Sequence, residues 1–451
     1  MTTEPRTTLF GVATGTPDGG VAVVRISGPR AAEIAVNIAG PLGPARTLVR
    51  RRIETRVDRS TGTSADCEDG LVVWMPGPRS FTGEDVVELH IHAGALNVRV
   101  VCAAVAAAGA EPAGPGDFSR RAFELGRMTL DEAEGVAAVI GAQTDAALAQ
   151  ARRLAGGELG REVELLRAAV VELQAEVEAN LDFPEDVQDE AMARWGDEVA
   201  GFAQELAGWL ARFEAGRRAR ERPRVVLAGP VNAGKSSLFN ALLRRPRALI
   251  SATPGTTRDY VEAELSVEAY GCMLVDTAGV RDTADPVESA GVERSAEQVS
   301  GADVVLWIEA ADATPNLEAR EAVLAGRVGP VINVETKRDL SLQRGEWVGV
   351  GALNEGTPQL AELERALRSW FRAGVDAPWI GLQRHRVHAE HAAQAIAEAA
   401  ELLSTDDHLE LGAFALASAA GRLGEITGRT GTGPIGEEVL GRIFARFCIG
   451  K

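Results

Sequence analysis

Val225-Val226-Leu227-Ala228-Gly229-Pro230-Val231-Asn232-Ala233-Gly234-Lys235-Ser236-Ser237 is the stretch that decides how this chain is read. An apolar, valine-rich run predicts a strand, and the G-x-x-x-x-G-K-S after it predicts a turn into a helix. In that setting the glycines let successive backbone N–H groups face a β-phosphate, and the helix N-terminus adds its positive end. Lys235 is placed to reach the β- and γ-phosphates, and Ser236 to offer its hydroxyl to Mg²⁺. Asn232, Ala233, Gly234 and Ser237 complete the loop. By itself it says only that the chain binds a nucleoside triphosphate.

Further motifs narrow this reading. Asp276-Thr277-Ala278-Gly279 ends a predicted strand, Met273–Val275, and supplies a metal-facing acid and an N–H for the γ-phosphate. Ser251-Ala252-Thr253-Pro254-Gly255-Thr256-Thr257 lies in a loop, with Thr257 as a second Mg²⁺ hydroxyl. Together they describe a switch-type NTPase rather than a motor ATPase. In Thr336-Lys337-Arg338-Asp339 the aspartate can accept from guanine N1–H and the 2-amino group, donors that adenine lacks. GTP is therefore favoured over ATP. The usual pattern is N-K-x-D, and threonine in place of asparagine is expected to weaken binding by losing an amide bridge. Gly351-Ala352-Leu353 stands where the last guanine loop usually carries Ser-Ala. Val280, after Asp276–Gly279, cannot orient a water as glutamine does in Ras-like enzymes. Glu288, on the following loop, is either the replacement or a solvated carboxylate at a helix start.

Around this core, strands alternate with helices from about Arg224 to Gly374, the pattern of a doubly wound parallel sheet. The first 120 or so residues mix strands (Val21–Ile26, Gly70–Trp74, Val86–His92) with an alanine-rich helix over Leu96–Ala108, an α+β domain. From Ser119 to Arg220 the spacing of Leu165, Val170, Leu173, Val177 and Leu181 is helical, with a break at Asp182-Phe183-Pro184-Glu185. Helical sequence returns after Trp379. The predicted organisation is multidomain: an α+β domain over 1–121, a helical domain in two segments, 122–217 and 379–451, and an α/β P-loop (Ras-like) domain inserted over 218–378.

Composition sets limits. The 451 residues carry a net charge of −18, and 45% are apolar, the profile of a soluble globular protein. A domain that grips nucleic acid by bulk charge is usually basic, so RNA, if it is a partner, must be reached through local patches or another protein. No apolar stretch reaches the ~18 residues of a membrane span, and Met1–Leu9 holds no secretory apolar core. Four scattered cysteines fit a reducing cytoplasm, with no disulfide framework or zinc site. Only Lys235, Lys337 and Lys451 are lysines among 47 basic residues, and each lies in a motif. His90 and His92 have no third metal ligand at suitable spacing. His385, His388 and His391 read as a solvated or dimer-facing stripe. The arginines from Arg217 to Arg224 read as a solvated hinge surface rather than an RNA contact.

Several stretches match a known family. They are Val24-Arg25-Ile26-Ser27-Gly28-Pro29, Ser80-Phe81-Thr82-Gly83-Glu84-Asp85-Val86-Val87-Glu88, Pro115-Gly116-Asp117-Phe118-Ser119-Arg120-Arg121-Ala122-Phe123, Asn180-Leu181-Asp182-Phe183-Pro184-Glu185 and the terminal Phe447-Cys448-Ile449-Gly450-Lys451. With the GTPase motifs, they make the chain resemble, over essentially its full length, the bacterial tRNA-modification GTPase family MnmE (TrmE). The resemblance implies a folate-binding, dimerising N-terminal domain and a cytoplasmic homodimer that joins the flavoprotein MnmG in a heterotetramer. It implies a carboxymethylaminomethyl group built on carbon 5 of a tRNA wobble uridine, with the tRNA reached partly through the partner. The one-carbon unit would come from a tetrahydrofolate derivative of 5-formyl or methylene type. K⁺ is implied at Asn232, Ser251, Thr253 and Thr256, where an arginine finger worth roughly 10³ to 10⁵ in rate would otherwise stand. Glu288 becomes the water-orienting residue. Folate contacts fall on Arg25, Glu84, Arg127 and Lys451, and Cys448 is either a thiol at that site or buried. A ribosome-assembly GTPase would need an RNA module such as a KH fold, which the sequence does not offer. A folate-dependent methyl-transfer enzyme with a regulatory GTPase stays open.

Overall fold

In Val21–Ser27, Ala22, Val24 and Ile26 are buried, while Val21, Val23 and Arg25 lie on the other face, as a period of two requires. The same alternation runs through Val86–His92, with Val87, Leu89 and Ile91 buried. The structure is a computed structural model. It describes residues 6–15, 19–57, 64–182, 189–243, 261–277, 297–315, 317–327, 329–338, 347–351, 353, 358–372, 382–404, 408–429, 436–448 and 450. Two compact units result: Met1–Ile140 with Arg153–Asp197 and Gln394–Lys451, and Gly141–Arg152 with Glu198–Ala393.

In the first unit, β1 (Leu9–Val12), β2 (Val21–Ser27), β3 (Val49–Val57), β4 (Ser64–Met75), β5 (Val86–His92) and β6 (Glu111–Pro112) form one sheet in the order β3-β4-β5-β2-β1-β6. All its pairings are antiparallel except β1 with β6. Helices Ala31–Ala39 and Ala95–Ala107 cover its apolar face, with Ile34, Ile38, Val101 and Val105 packed on Ile26, Leu89 and Ile91. The opposite face carries Arg25, Glu88 and His90.

The helical part of this unit centres on Glu158–Asp182, which packs against Leu409–Thr427. Its buried stripe is Leu159, Val163, Leu166, Val170, Leu173 and Val177, alternating steps of four and three. The expected stripe included Leu165, but that residue is 72% exposed and Leu166 takes its place. Thr427 donates to Glu164 at 2.7 Å across the helix pair. Helices resume at Asp189 after the predicted break; Phe183–Glu185 lie outside the described residues.

The second unit holds β7 (Arg224–Ala228), β8 (Val261–Val267), β9 (Tyr270–Asp276), β10 (Val304–Ala310), β11 (Val331–Thr336) and β12 (Val348–Gly349) in the order β12-β11-β10-β7-β9-β8. Apolar residues on both faces mark the covered sheet of an α/β domain. Val225, Leu227 and Leu306 pack with Leu238, Leu363 and Phe371, and on the other face Val226, Val305 and Trp307 pack with Val299 and Val323. The expectation of a parallel sheet needs one correction: β8 runs antiparallel to β9. The two are joined by Glu268-Ala269, with Glu268 at φ 55°, and a link that short can only reverse the chain.

The arginines before β7 are engaged rather than solvated. Arg217 donates to Asp303 at 2.5 Å and to Glu214 at 2.9 Å, Arg222 pairs with Glu264, and Arg224 pairs with Glu262 at 2.8 Å. Arg218 lies over the Trp370 ring at 5.3 Å. His385 also departs from the solvated stripe: it is fully buried, whereas His391 is exposed.

Candidate functional site

β7 lies between β10 and β9, so its carboxyl end opens where the order of strand connections reverses. Gly229 leaves the sheet there at φ 149°, and a Cβ on it would run into the Ile308 carbonyl, so only glycine fits. Asn232 adopts φ 61°, left-handed backbone that asparagine tolerates, and its side chain is exposed. Helix Lys235–Leu243 follows at once.

Lys235 folds back under the loop. Its Nζ donates to the carbonyls of Gly229 at 2.8 Å and Pro230 at 2.7 Å. Burial draws its ammonium below the usual lysine range, against the opposing pull of the Asp276 charge. Ser236 Oγ donates to Asp276 Oδ2 at 2.8 Å, which joins the start of the helix to the end of β9. Thr277 donates to the Leu227 carbonyl at 2.9 Å and so ties the end of β9 to β7.

Thr336 answers the question raised by its departure from N-K-x-D. Its buried hydroxyl donates to the Ala233 carbonyl at 2.6 Å, with the Glu309 carbonyl at 3.3 Å as a second acceptor. A bridge from base loop to phosphate loop is therefore present, made by a hydroxyl in place of an amide. Lys337, at φ 57°, pairs with both carboxylate oxygens of Asp312 at 3.1 and 2.9 Å. Arg338 donates to Glu362 at 2.5 Å, and the Gly349 N–H donates to the same carboxylate oxygen at 3.0 Å. Gly351 bonds with Gln359, and Leu353 packs on the core beneath. The structure thus brings together Asn232–Ser237, Asp276, Thr277, Thr336–Arg338, Gly351 and Leu353. Ser251–Thr257, Ala278, Gly279, Glu288, Asp339, Ala352 and Lys451 lie outside the described residues.

A second constellation sits on the open face of the first sheet. Arg25 Nε and Nη2 donate to Glu88 Oε1 at 3.0 and 2.8 Å, and Nη1 donates to the Gly450 carbonyl at 3.3 Å. The guanidinium lies 5.2 Å from the Phe81 ring centre and 5.8 Å from that of Phe118. Gly450 stands at φ 91°, and a Cβ there would strike the Val12 carbonyl. Cys448 is exposed, and its carbonyl accepts from Gly116 N–H at 3.3 Å. The carboxylate facing Arg25 is thus Glu88. Glu84 accepts instead from Arg121 at 3.2 Å, while Arg127 Nε donates to the Ser80 carbonyl at 3.2 Å. His90 Nε2 lies 3.4 Å from Glu88 Oε2. Sequence reasoning passed over Glu88, though the alternation in V-V-E-L-H-I-H carries the signal, putting Glu88 and His90 on the face that Arg25 shares.

Among the described residues, no group of three or more His, Cys, Asp or Glu side chains is arranged to hold a metal ion. No helix among them is long and apolar enough to cross a membrane.

Two family models match the chain in adjoining stretches. The family model described as "MnmE helical domain" matches residues 130–448, and that described as "GTP-binding protein TrmE N-terminus" matches residues 8–127. The chain is 39% identical over 467 residues to the tRNA modification GTPase MnmE of Halorhodospira halophila, covering 98% of this chain and 96% of that one. It is 38% identical to the protein of the same name from Rhodopseudomonas palustris and 38% identical to that from Phenylobacterium zucineum, in each case covering 98% of this chain and 99% of the relative.

Proposed function

This chain belongs to the MnmE family of tRNA modification GTPases, and from that premise we propose that it runs a K⁺-stimulated GTP cycle as a homodimer. The product, formed with the flavoprotein MnmG and a tetrahydrofolate one-carbon donor of 5-formyl or methylene type, is a carboxymethylaminomethyl group on carbon 5 of a tRNA wobble uridine. The observation that carries the GTPase half is the Ser236–Asp276 contact of 2.8 Å above a lysine anchored under its own loop.

Mechanistically, the loop N–H groups and Lys235 hold the β- and γ-phosphates, and Asp339 selects guanine. The Ser236 hydroxyl and the Asp276 carboxylate are the hard oxygen donors that Mg²⁺ takes, with Thr257 as the second hydroxyl. When bound, Mg²⁺ neutralises charge developing on the phosphoryl oxygens. The exposed amide of Asn232 suits a K⁺ contact that Ser251, Thr253 and Thr256 would complete. Glu288 orients the attacking water, the task Val280 cannot perform.

On the first sheet, Arg25, with the Phe81 and Phe118 rings and the Gly450 carbonyl beside it, is the centre of the folate site in this reading. Arg25, Arg127 and Lys451 bear the positive charge for its glutamyl tail. Glu84 and Glu88 are the carboxylates able to accept from the amino-pyrimidinone edge of its pterin ring.

The test is wobble-nucleoside analysis of a strain lacking the chain. Wild type should restore the modified nucleoside and Lys235→Ala should not, while the purified protein hydrolyses GTP faster in K⁺ than in Na⁺. Restoration by Lys235→Ala, or equal rates in the two salts, contradicts the reading.

A further inference from the structure

Helix Asp117–Glu124 brings two side chains to the neighbourhood of Arg25. Phe118, fully buried, has its ring centre 5.8 Å from the guanidinium, and Arg121 follows one turn later on the same side of the helix. The start of this helix is anchored. Gly116 precedes it at φ 72°, where a Cβ would strike the Phe444 carbonyl, and Asp117 Oδ2 accepts from the Gly114 N–H at 2.6 Å. Arg121 Nη1 then donates twice, to the Thr7 carbonyl at 2.6 Å and to Glu84 Oε2 at 3.2 Å. It thereby joins the chain ahead of β1 to the loop ahead of β5. Both side chains of the pair are only 12% exposed.

That loop is Ser80-Phe81-Thr82-Gly83-Glu84. Within it, Ser80 Oγ donates to the Glu84 carbonyl at 2.5 Å and accepts from the Gly83 N–H at 3.0 Å. Thr82 Oγ1 lies 2.7 Å from Ser27 Oγ, a buried hydroxyl pair that ties the loop to the end of β2. Arg127 Nε reaches the Ser80 carbonyl. These bonds hold the loop by its backbone and its small hydroxyls, while Arg121 holds the Glu84 side chain. What the loop presents to the site is Phe81, whose ring centre lies 5.2 Å from the Arg25 guanidinium and which packs with Leu9 and Phe118.

We propose that Arg121 is a positioning residue of the one-carbon site. By pairing with Glu84 it sets the direction of that carboxylate and, through the loop, the place of Phe81 against Arg25. The proposal rests on the folate reading above. It gives Arg121 no contact with the ligand, so the whole of its effect passes through Glu84.

Calorimetric titration of the full-length protein with 5-formyltetrahydrofolate tests this in Arg121→Gln, Glu84→Gln, the double variant and Arg121→Lys. Arg121→Gln should bind about tenfold or more weakly, because it leaves a largely buried carboxylate without its partner. The double variant should bind within about twofold of Glu84→Gln alone, the non-additivity of two groups that act as one contact. Arg121→Lys keeps a cation able to donate to both oxygens and should recover binding to within about threefold of wild type. Arg50→Gln, which breaks an exposed pair with Asp69 of the same 3.2 Å, should bind as wild type. An Arg121→Gln affinity within about twofold of wild type overturns the proposal. So does a double variant whose loss is the product of the two single losses, which would make Arg121 a ligand contact in its own right. Should Arg121→Gln fail to fold, Glu84→Gln cuts the same tie from the loop side. Its Gly83 amide should then exchange hydrogen about tenfold or more faster in the ligand-free protein, and an unchanged rate overturns the proposal. If wild type binds no 5-formyltetrahydrofolate, the folate reading fails; if it binds and Arg121→Gln binds equally, only this inference fails.

Discussion

Thr336→Val replaces the hydroxyl at the hinge between base and phosphate loops by a methyl group and changes little else. The side chain is buried, and valine keeps the β-branched shape and nearly the volume, so no cavity is left to add its cost. What is lost is the bond to the Ala233 carbonyl at 2.6 Å. A buried acceptor left without its donor costs about 1–3 kcal/mol. The cost should fall mainly on nucleotide affinity. Without nucleotide the loop can turn its carbonyl to water, but to bind phosphates it must return that carbonyl to the buried position unpaired. At about 1.4 kcal/mol per tenfold, a cost near 1–2 kcal/mol weakens GDP binding about 5- to 30-fold. Preference for guanine over adenine should be untouched, because Asp339 supplies it. Thr336→Ser keeps the hydroxyl and should bind nearly as wild type. Fluorescent GDP titration of the three proteins decides the matter. A Thr336→Val affinity within about twofold of wild type would mean that the hydroxyl bridge is ornamental and the loop is held by its backbone alone.

Glu288→Ala should slow single-turnover GTP hydrolysis in K⁺ by orders of magnitude while barely changing GTP affinity, since a water-orienting group acts in the transition state; a rate within about threefold of wild type sinks the assignment. Asn232→Ala should abolish the K⁺ response with nucleotide binding largely kept, and a persistent K⁺/Na⁺ difference would refute the cation contact. Asp339→Asn should move preference from guanine to xanthine, whose 2-oxo group accepts from the new amide; unchanged GTP hydrolysis would remove Asp339 from the base site. The Gly349 N–H first, and then Arg338, against some burial, hold the Glu362 carboxyl below the usual carboxylate range. Its stabilising effect is therefore full above the ordinary pKa of about 4.3 and lost as pH falls through the lower folded value. Glu362→Gln should cost under about 1 kcal/mol at neutral pH, because the pair is partly exposed, and should flatten the acid side of the urea midpoint against pH.

The nucleotide half of the protein was legible because its motif is local. Gly229, Lys235 and Ser236 fall within eight consecutive residues, so their spacing sets the arrangement before any tertiary contact forms. What stayed hidden depends on partners far away in sequence. That Thr336 replaces the missing amide is visible only when β11 lies beside β10, with its end against the phosphate loop. No apolar run marks β8, whose V-E-A-E-L-S-V carries two glutamates on an edge strand, one pairing with Arg224 and one with Arg222. The Arg217–Arg224 run looked solvated for the same reason: the chain nearby shows the charges, while Asp303, Glu262 and Glu264 lie well downstream. For Leu165 and Leu166, two leucines in a row leave the helical phase ambiguous by about 100° per residue, and only the packing partner decides.

Carboxylate choice at Arg25 turns on a similar point and separates what a resemblance transfers from what geometry must supply. Glu84 and Glu88 are four residues apart in one matching stretch, and either could be aligned with a carboxylate role. Their positions are not equivalent. Glu88 sits in β5, directly opposite Arg25 in β2, in a register fixed by seven consecutive residue pairs. A one-residue slip would turn Val87 and Leu89 out of the core, so burial itself forces Glu88 toward Arg25. Glu84 lies in the loop before β5, where Ser80 donates to its carbonyl at 2.5 Å and its side chain turns to Arg121. The two therefore make separable claims on the pocket. Glu88→Gln leaves the Arg25 guanidinium without its charged partner and should weaken 5-formyltetrahydrofolate binding about tenfold or more, since losing one member of a partly buried pair costs over about 1.4 kcal/mol. Glu84→Gln should act through Arg121 and the loop. If Glu84→Gln abolishes binding while Glu88→Gln binds as wild type in the same calorimetric titration, the register argument does not govern ligand recognition, and the loop carboxylate is the one that meets the pterin.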